Sequence, residues 1–204
     1  MTATIITMYI FVLLLLLSQH YGKLAYVWLT KPLASFAFVI LAIQAGAFYS
    51  YIGILFFIGF LFSWLGDVLL IKKQTFIFGL FCFLLTHIAY IIAFYSLGIS
   101  ILYFIIAFLV TLFLGLFIAI WIIPHVEKRL VMPVIIYMLI IALMLSAAIA
   151  TNNIIIMIAA LLFCASDISV ARDQFMHAKF FNIVWGLLFY YTAQALLALN
   201  LNLI

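Results

Sequence analysis

Charge is what this chain has least of. Only 6% of its 204 residues are Asp, Glu, Lys or Arg, while 73% are hydrophobic and 18% aromatic. Charged residues make up about 25% of an ordinary soluble protein, so the chain lacks the polar surface to coat a globule in water. That scarcity excludes a soluble enzyme, a secreted disulfide scaffold and a disordered chain. The net charge of +4 comes from scattered residues. No basic block or aromatic-interleaved basic patch is present, so no nucleic acid is expected as a partner. The two cysteines, Cys82 and Cys164, lie inside apolar runs and read as small packing residues. No long loop is present, which argues against a soluble partner domain and leaves a homo-oligomer open. The N-terminal run lacks the basic stretch of a secretory signal and reads as a retained first span.

What is there is a series of apolar runs. Their breaks place spans at about 4–20, 33–49, 51–71, 76–96, 99–122, 133–151, 153–171 and 180–200. The fold class expected is an all-α membrane protein, a bundle of eight transmembrane helices forming one integral membrane domain over 1–204. Three breaks are short and uncharged: Tyr49-Ser50-Tyr51, Leu97-Gly98-Ile99 and Thr151-Asn152-Asn153. The other four hold Lys23 and Lys31; Lys72 and Lys73; Lys128 and Arg129; Arg172 and Lys179. All eight cations therefore fall in odd-numbered loops, which the positive-inside rule makes cytoplasmic. Both termini then lie on the opposite face of a multi-pass protein, in the cell membrane if the source is bacterial.

A weaker regularity suggests two parallel four-helix repeats, about 1–100 and 101–204. Lys31-Pro32 and Met132-Pro133 open the second and sixth spans. Asp67 and Asp167 end the third and seventh, and Tyr90 and Tyr190 lie in the fourth and eighth.

An Asp at the middle of a spanning helix costs roughly 2.5–3.5 kcal/mol, so an ionisable residue kept there is a functional candidate. Asp67, Asp167 and His87 qualify. Glu127, Asp173, His20, His125 and His177 fall in or near loops, where a solvated charge needs no explanation. Ser63 and Gly59 share a helical face with Asp67, at i−4 and i−8. Ser166 precedes Asp167, and Arg172 follows five residues on. Tyr90 is at i+3 from His87. Gly186, Tyr190 and Gln194 follow at i+4 spacing, with Tyr191 at i−3 from Gln194; Gln44 is the other deep amide. Structural readings stand beside these. Asp67 could bond Ser63 or reach Lys72, Asp167 could pair with Arg172, and the tyrosines and Gln194 could be packing glue.

Several chemistries are excluded. There is no His-x-x-x-His or Cys-x-x-Cys and only one deep His, so neither a metal nor another cofactor is expected. No Gly-x-Ser-x-Gly elbow and no phosphate-cradling glycine loop is present. A pair of carboxylates near one membrane face remains, with cations just outside.

The run Phe62-Ser63-Trp64-Leu65-Gly66-Asp67-Val68-Leu69-Leu70 resembles the Ser-x-x-Gly-Asp-x-x-Leu signature of the YhhN-type lysoplasmalogenases. Gly79, Phe83, His87 and Tyr90 match that family's next helix. Pro133, Val134 and Tyr137 match its Pro-Val-x-x-Tyr. Phe163, Ser166, Asp167 and Ala171 match Phe-x-x-Ser-Asp-x-x-x-Ala, and Tyr191, Ala193, Gln194 and Ala198 match its last helix. Lys31-Pro32 matches the start of the second. The order is kept over nearly the whole chain. Thr86, Ala159-Ala160 and Arg172-Asp173-Gln174 depart from the pattern.

The resemblance implies an integral membrane hydrolase that cleaves the vinyl-ether bond of lysoplasmalogens. The products would be a fatty aldehyde and a glycerophospho-choline or -ethanolamine, with a lysophospholipid in the bilayer as the substrate. Vinyl ethers hydrolyse by acid catalysis through an oxocarbenium ion, and paired carboxylates serve a comparable ion in glycoside hydrolysis. Asp67 and Asp167 are thus the expected catalytic pair, holding one proton between them. His87, Tyr90, Tyr190 and Gln194 would orient water and the ether oxygen. Lys31, Lys72 and Arg172 would meet the phosphate, with Ser63, Ser166 and Tyr191 around the substrate. The competing class is a proton-coupled transporter or lipid-binding membrane protein. A purely structural subunit leaves the buried acids unexplained.

Overall fold

The computed structural model describes residues 1–176 and 179–203, so His177 lies outside the described residues. Among these residues the chain forms eight long α-helices joined by short turns. They are α1 (Thr2–His20), α2 (Leu24–Gln44), α3 (Tyr51–Leu69), α4 (Phe76–Ser96), α5 (Ile101–Ile122), α6 (Val131–Ala150), α7 (Ile154–Met176) and α8 (Phe180–Asn200). All eight are long and apolar enough to cross a membrane. No strand is present among the described residues. In hydrocarbon no water satisfies backbone groups, so the helix, which satisfies its own, is the form an apolar chain takes.

The three uncharged breaks are short turns between helices. Ser50 caps α3, its Oγ accepting from Gly53 N at 2.9 Å. Asn153 caps α7, its Oδ1 accepting from Ile155 N and Ile156 N at 3.0 and 3.2 Å. Such side-chain caps supply acceptors to helix-start N–H groups that lack a partner within the helix.

Two spans differ from expectation. The breaks between apolar runs put the second span at about 33–49, opened by Lys31-Pro32; the helix runs Leu24–Gln44 with Pro32 inside it. Proline removes one backbone donor, yet the apolar run from Leu24 to Leu29 continues the span on its other side. Trp64 Nε1 on α3 donates to Pro32 O at 3.2 Å. Lys31 is therefore not a loop cation. It sits in the helix, about 10 Å from its start at 1.5 Å per residue, and is 9% exposed. The seventh span likewise continues to Met176, so Arg172 is helical. Its guanidinium lies 5.6 Å from the Trp121 ring centre.

α1 and α5 are peripheral: α5 buries only Ala107 and Ile122. The centre is aromatic, with Phe38, Phe56, Phe60, Tyr90, Phe94, Phe163 and Tyr191 all buried. Small residues let the helices close on these rings. A side chain on Gly59 would meet the Tyr90 ring, and one on Gly66 the Phe83 ring at 2.7 Å. Tyr90 is held in place by its bond to Gln194. Gly59→Ala should therefore destabilise the bundle by about 1–3 kcal/mol, the scale of core overpacking, read as a lower unfolding temperature in detergent. An unchanged unfolding temperature would mean that Tyr90 can move aside.

Candidate acid site

Two polar centres lie inside the bundle, one around each acid. Asp67, near the C-terminal end of α3, is 3% exposed. Its Oδ2 accepts from Ser35 Oγ of α2 at 2.6 Å and from Tyr190 OH of α8 at 2.6 Å. Its Oδ1 is 3.3 Å from Lys31 Nζ of α2. Ser35 Oγ also lies 3.0 Å from Tyr191 OH. A carboxylate can accept from all these donors, whereas a carboxylic acid would turn its own O–H toward one of them. Lys31 and Asp67 thus balance each other's charge within the membrane-spanning region.

Asp167 is held more lightly. Tyr137 OH of α6 donates to its Oδ1 at 3.0 Å. His87 Nε2 of α4 lies 3.3 Å from its Oδ2 and 3.2 Å from Tyr137 OH. The contact to Oδ2 is close but not an aligned hydrogen bond, and Oδ2 accepts none among the described residues. His87 is fully buried and its Nδ1 has no hydrogen-bond partner among the described residues. Tyr137 has one hydroxyl hydrogen and gives it to Asp167, so a hydrogen bond from His87 to the Tyr137 oxygen needs the tautomer with its hydrogen on Nε2.

The two centres share one cavity of about 460 Å³, within the usual range for ligand pockets. Asp67, Asp167, Lys31, Tyr137 and Tyr190 all line it. The acids are not hydrogen-bonded to each other, and neither has the partner foreseen for a structural acid. Asp67 bonds Lys31, Ser35 and Tyr190 rather than Ser63 or Lys72, and Lys72 instead lies over the Trp28 ring. Asp167 bonds Tyr137 rather than Arg172. The partners follow a pattern: Asp67 on α3 is held from α2 and α8, and Asp167 on α7 from α6 and α4. Each acid is held by the second helix of its own half of the chain and the fourth helix of the other.

The model of the YhhN family matches residues 26–201, a stretch that contains both acids and every residue that holds them. The chain belongs to the YhhN family. No curated protein and no solved structure matches it.

The other residues singled out in this YhhN chain divide by position. Ser166 lines the cavity beside Asp167. Ser63, Tyr90 and Gln194 form a buried chain beside it: Tyr90 OH donates to Gln194 Oε1 at 2.8 Å, Gln194 Nε2 to Ser63 Oγ at 2.8 Å, and Ser63 Oγ to Thr86 Oγ1 at 3.1 Å. Thr86, a departure from the family pattern, completes this chain by bonding Gly59 O at 3.2 Å. His87 and Tyr191 stand behind the two acids as partners of Tyr137 and Ser35. No group of three or more His, Cys, Asp or Glu side chains able to hold a metal occurs among the described residues.

Ser35 and Tyr137 were not among the expected site residues. Ser35 had no signal, since a lone serine in an apolar helix is unremarkable. Tyr137 had one: it stands in the Pro-Val-x-x-Tyr match.

Proposed function

We propose that this YhhN protein is a membrane hydrolase that cleaves the vinyl-ether bond of a lysoplasmalogen by acid catalysis at Asp67 and Asp167. The observation that carries the reading is that two carboxyl groups with different partners face one cavity inside the bundle. Family membership supports it, because the YhhN family is generally lysoplasmalogenase-like. Asp167, with few donors aimed at it, is the proton donor. Asp67, with its donors from Lys31, Ser35 and Tyr190, is the fixed anion.

The reaction then runs in three steps. Asp167 gives its proton to the alkenyl carbon remote from oxygen, leaving an oxocarbenium ion that the Asp67 carboxylate stabilises. Water adds to the cationic carbon and returns a proton to Asp167. The hemiacetal collapses to a fatty aldehyde and the glycerol hydroxyl. Tyr137 and His87 position Asp167; Ser35 and Tyr190 position Asp67. The cation-bearing end of the bundle is taken as cytoplasmic.

A substrate panel tests the reading. The detergent-purified protein should cleave a 1-alkenyl lysophospholipid and leave the matched 1-alkyl and 1-acyl lipids intact, since only the alkene accepts a proton at carbon. Cleavage of the acyl lipid would assign an esterase instead. One observation favours a second reading, a proton-coupled carrier. The matching placement of the two acids, each held across the halves, is what two parallel repeats would give, and transporters use such repeats. Proton-dependent lipid flux in vesicles without aldehyde release would select it.

A further inference from the structure

Eight of the nine glycines are explained by their surroundings. Gly22, Gly46 and Gly98 have positive φ, and at Gly53, Gly59, Gly66, Gly79 and Gly186 a side chain would run into a neighbour. Gly115 alone has neither reason: it sits mid-helix in α5, and a side chain there would meet nothing within 4 Å. A glycine inside a helix costs about 0.5–1 kcal/mol relative to alanine, so its presence calls for another cause.

Gly115 lines the cavity that holds the acids. On its α5 side the cavity is walled by Thr111 and Ile118 of α5, Ile141 and Leu145 of α6 and Leu161 of α7. Apart from the Thr111 hydroxyl, which lies 3.0 Å from Ser146 Oγ, the walls of this arm are apolar, whereas Lys31, Asp67 and Gln19 also line the same cavity. By helix rise, Leu145 lies about 12 Å further along α6 than Tyr137, the residue that touches Asp167. The arm therefore leads away from the acids toward the uncharged end of the bundle.

We propose that this arm is a binding site for the hydrocarbon chain of a single-tailed phospholipid, and that Gly115 keeps it open. The identity of the ligand's reacting group rests on the hydrolase reading; the arm itself does not. A polar head at Lys31 and a chain along α5 would set the first carbons of the chain beside the acids. The chain enters from lipid rather than water, so the hydrophobic effect adds little to its selection. The fit of the chain in the arm decides instead, which makes steric blockage the sharper probe.

The test uses the full protein in detergent and two readouts over a series of chain lengths. The first is aldehyde release from 1-alkenyl lysophospholipids. The second is the thermal shift given by non-cleavable 1-alkyl lysophosphocholines. In Gly115→Phe, the ratio of long-chain to short-chain kcat/KM should fall at least about tenfold, the scale of a side chain forced into a filled apolar site. The long-chain thermal shift should fall with it. Leu145→Ala should move the preference toward longer chains, and Gly115→Leu replaces the phenylalanine variant if that one does not fold. A chain-length profile that stays the same in folded Gly115 variants overturns the proposal while leaving the hydrolase intact. If the wild type releases no aldehyde from any chain, the hydrolase reading fails and the thermal shifts decide alone. A Gly115-dependent length preference then sustains the arm, and its absence overturns that as well.

Discussion

Asp167→Asn should lower aldehyde release by about 10²–10⁴-fold, the usual contribution of a general acid, while the protein still inserts and unfolds cooperatively. Asparagine has nearly the same shape and can still accept from Tyr137 OH, so the packing around residue 167 survives. What it lacks is a transferable proton. Asp67→Asn should lose activity on a similar scale for a different reason: the amide carries no negative charge to meet the oxocarbenium ion. The two variants should differ in stability. Asp67→Asn leaves Lys31 without its counter-charge inside the bundle, whereas Asp167→Asn strands no cation of that kind. Circular dichroism and thermal unfolding in detergent, run beside the assay, separate the two effects. A folded Asp167→Asn protein with wild-type turnover would remove that residue from the chemistry.

The second large effect concerns Lys31. Removing one member of a buried ion pair costs about 3–5 kcal/mol, because the other charge is left unpaired, while replacing both together is often nearly neutral. Lys31→Met alone should therefore destabilise strongly. Lys31→Met combined with Asp67→Asn should recover most of that loss, and the double-mutant cycle should show the coupling directly. Activity should not return with stability, since the double variant still lacks the Asp67 carboxylate. Simple additivity of the two stability changes would mean that the ion pair does not form in the membrane. Activity recovered in the double variant would mean that Asp67 serves the fold alone.

Much of the architecture was legible in the sequence because membrane insertion leaves few choices. An apolar run of span length must be a helix, and two of the uncharged breaks contain the capping Ser50 and Asn153 that start the next one. The Tyr90–Gln194 contact was partly legible too. Polar residues at i+4 spacing on an apolar helix must meet a partner across an interface, although the sequence does not name it.

What escaped was long-range. Lys31 read as a loop residue because a lysine several residues inside an apolar helix makes sense only once Asp67 is known to face it. The two are 36 positions apart and on different helices. Pro32 stands beside Lys31 inside the helix, although proline is commonest where a helix begins. The division of Asp67 and Asp167 into one heavily bonded and one lightly bonded acid was not readable either. It depends on Ser35 and Tyr190 converging on one carboxylate from two helices. The spacing of 100 residues between the acids marked them as equivalent, whereas their partners make them different.

The most direct measurement is the release of fatty aldehyde from a 1-alkenyl lysophospholipid by purified wild type, Asp67→Asn and Asp167→Asn, each shown to be folded and monodisperse. The account predicts aldehyde and glycerophospho-alcohol in equal amounts from the wild type, and release at least about 100-fold slower from either variant. Aldehyde release by either folded variant at the wild-type rate, or none from the folded wild type, would contradict it.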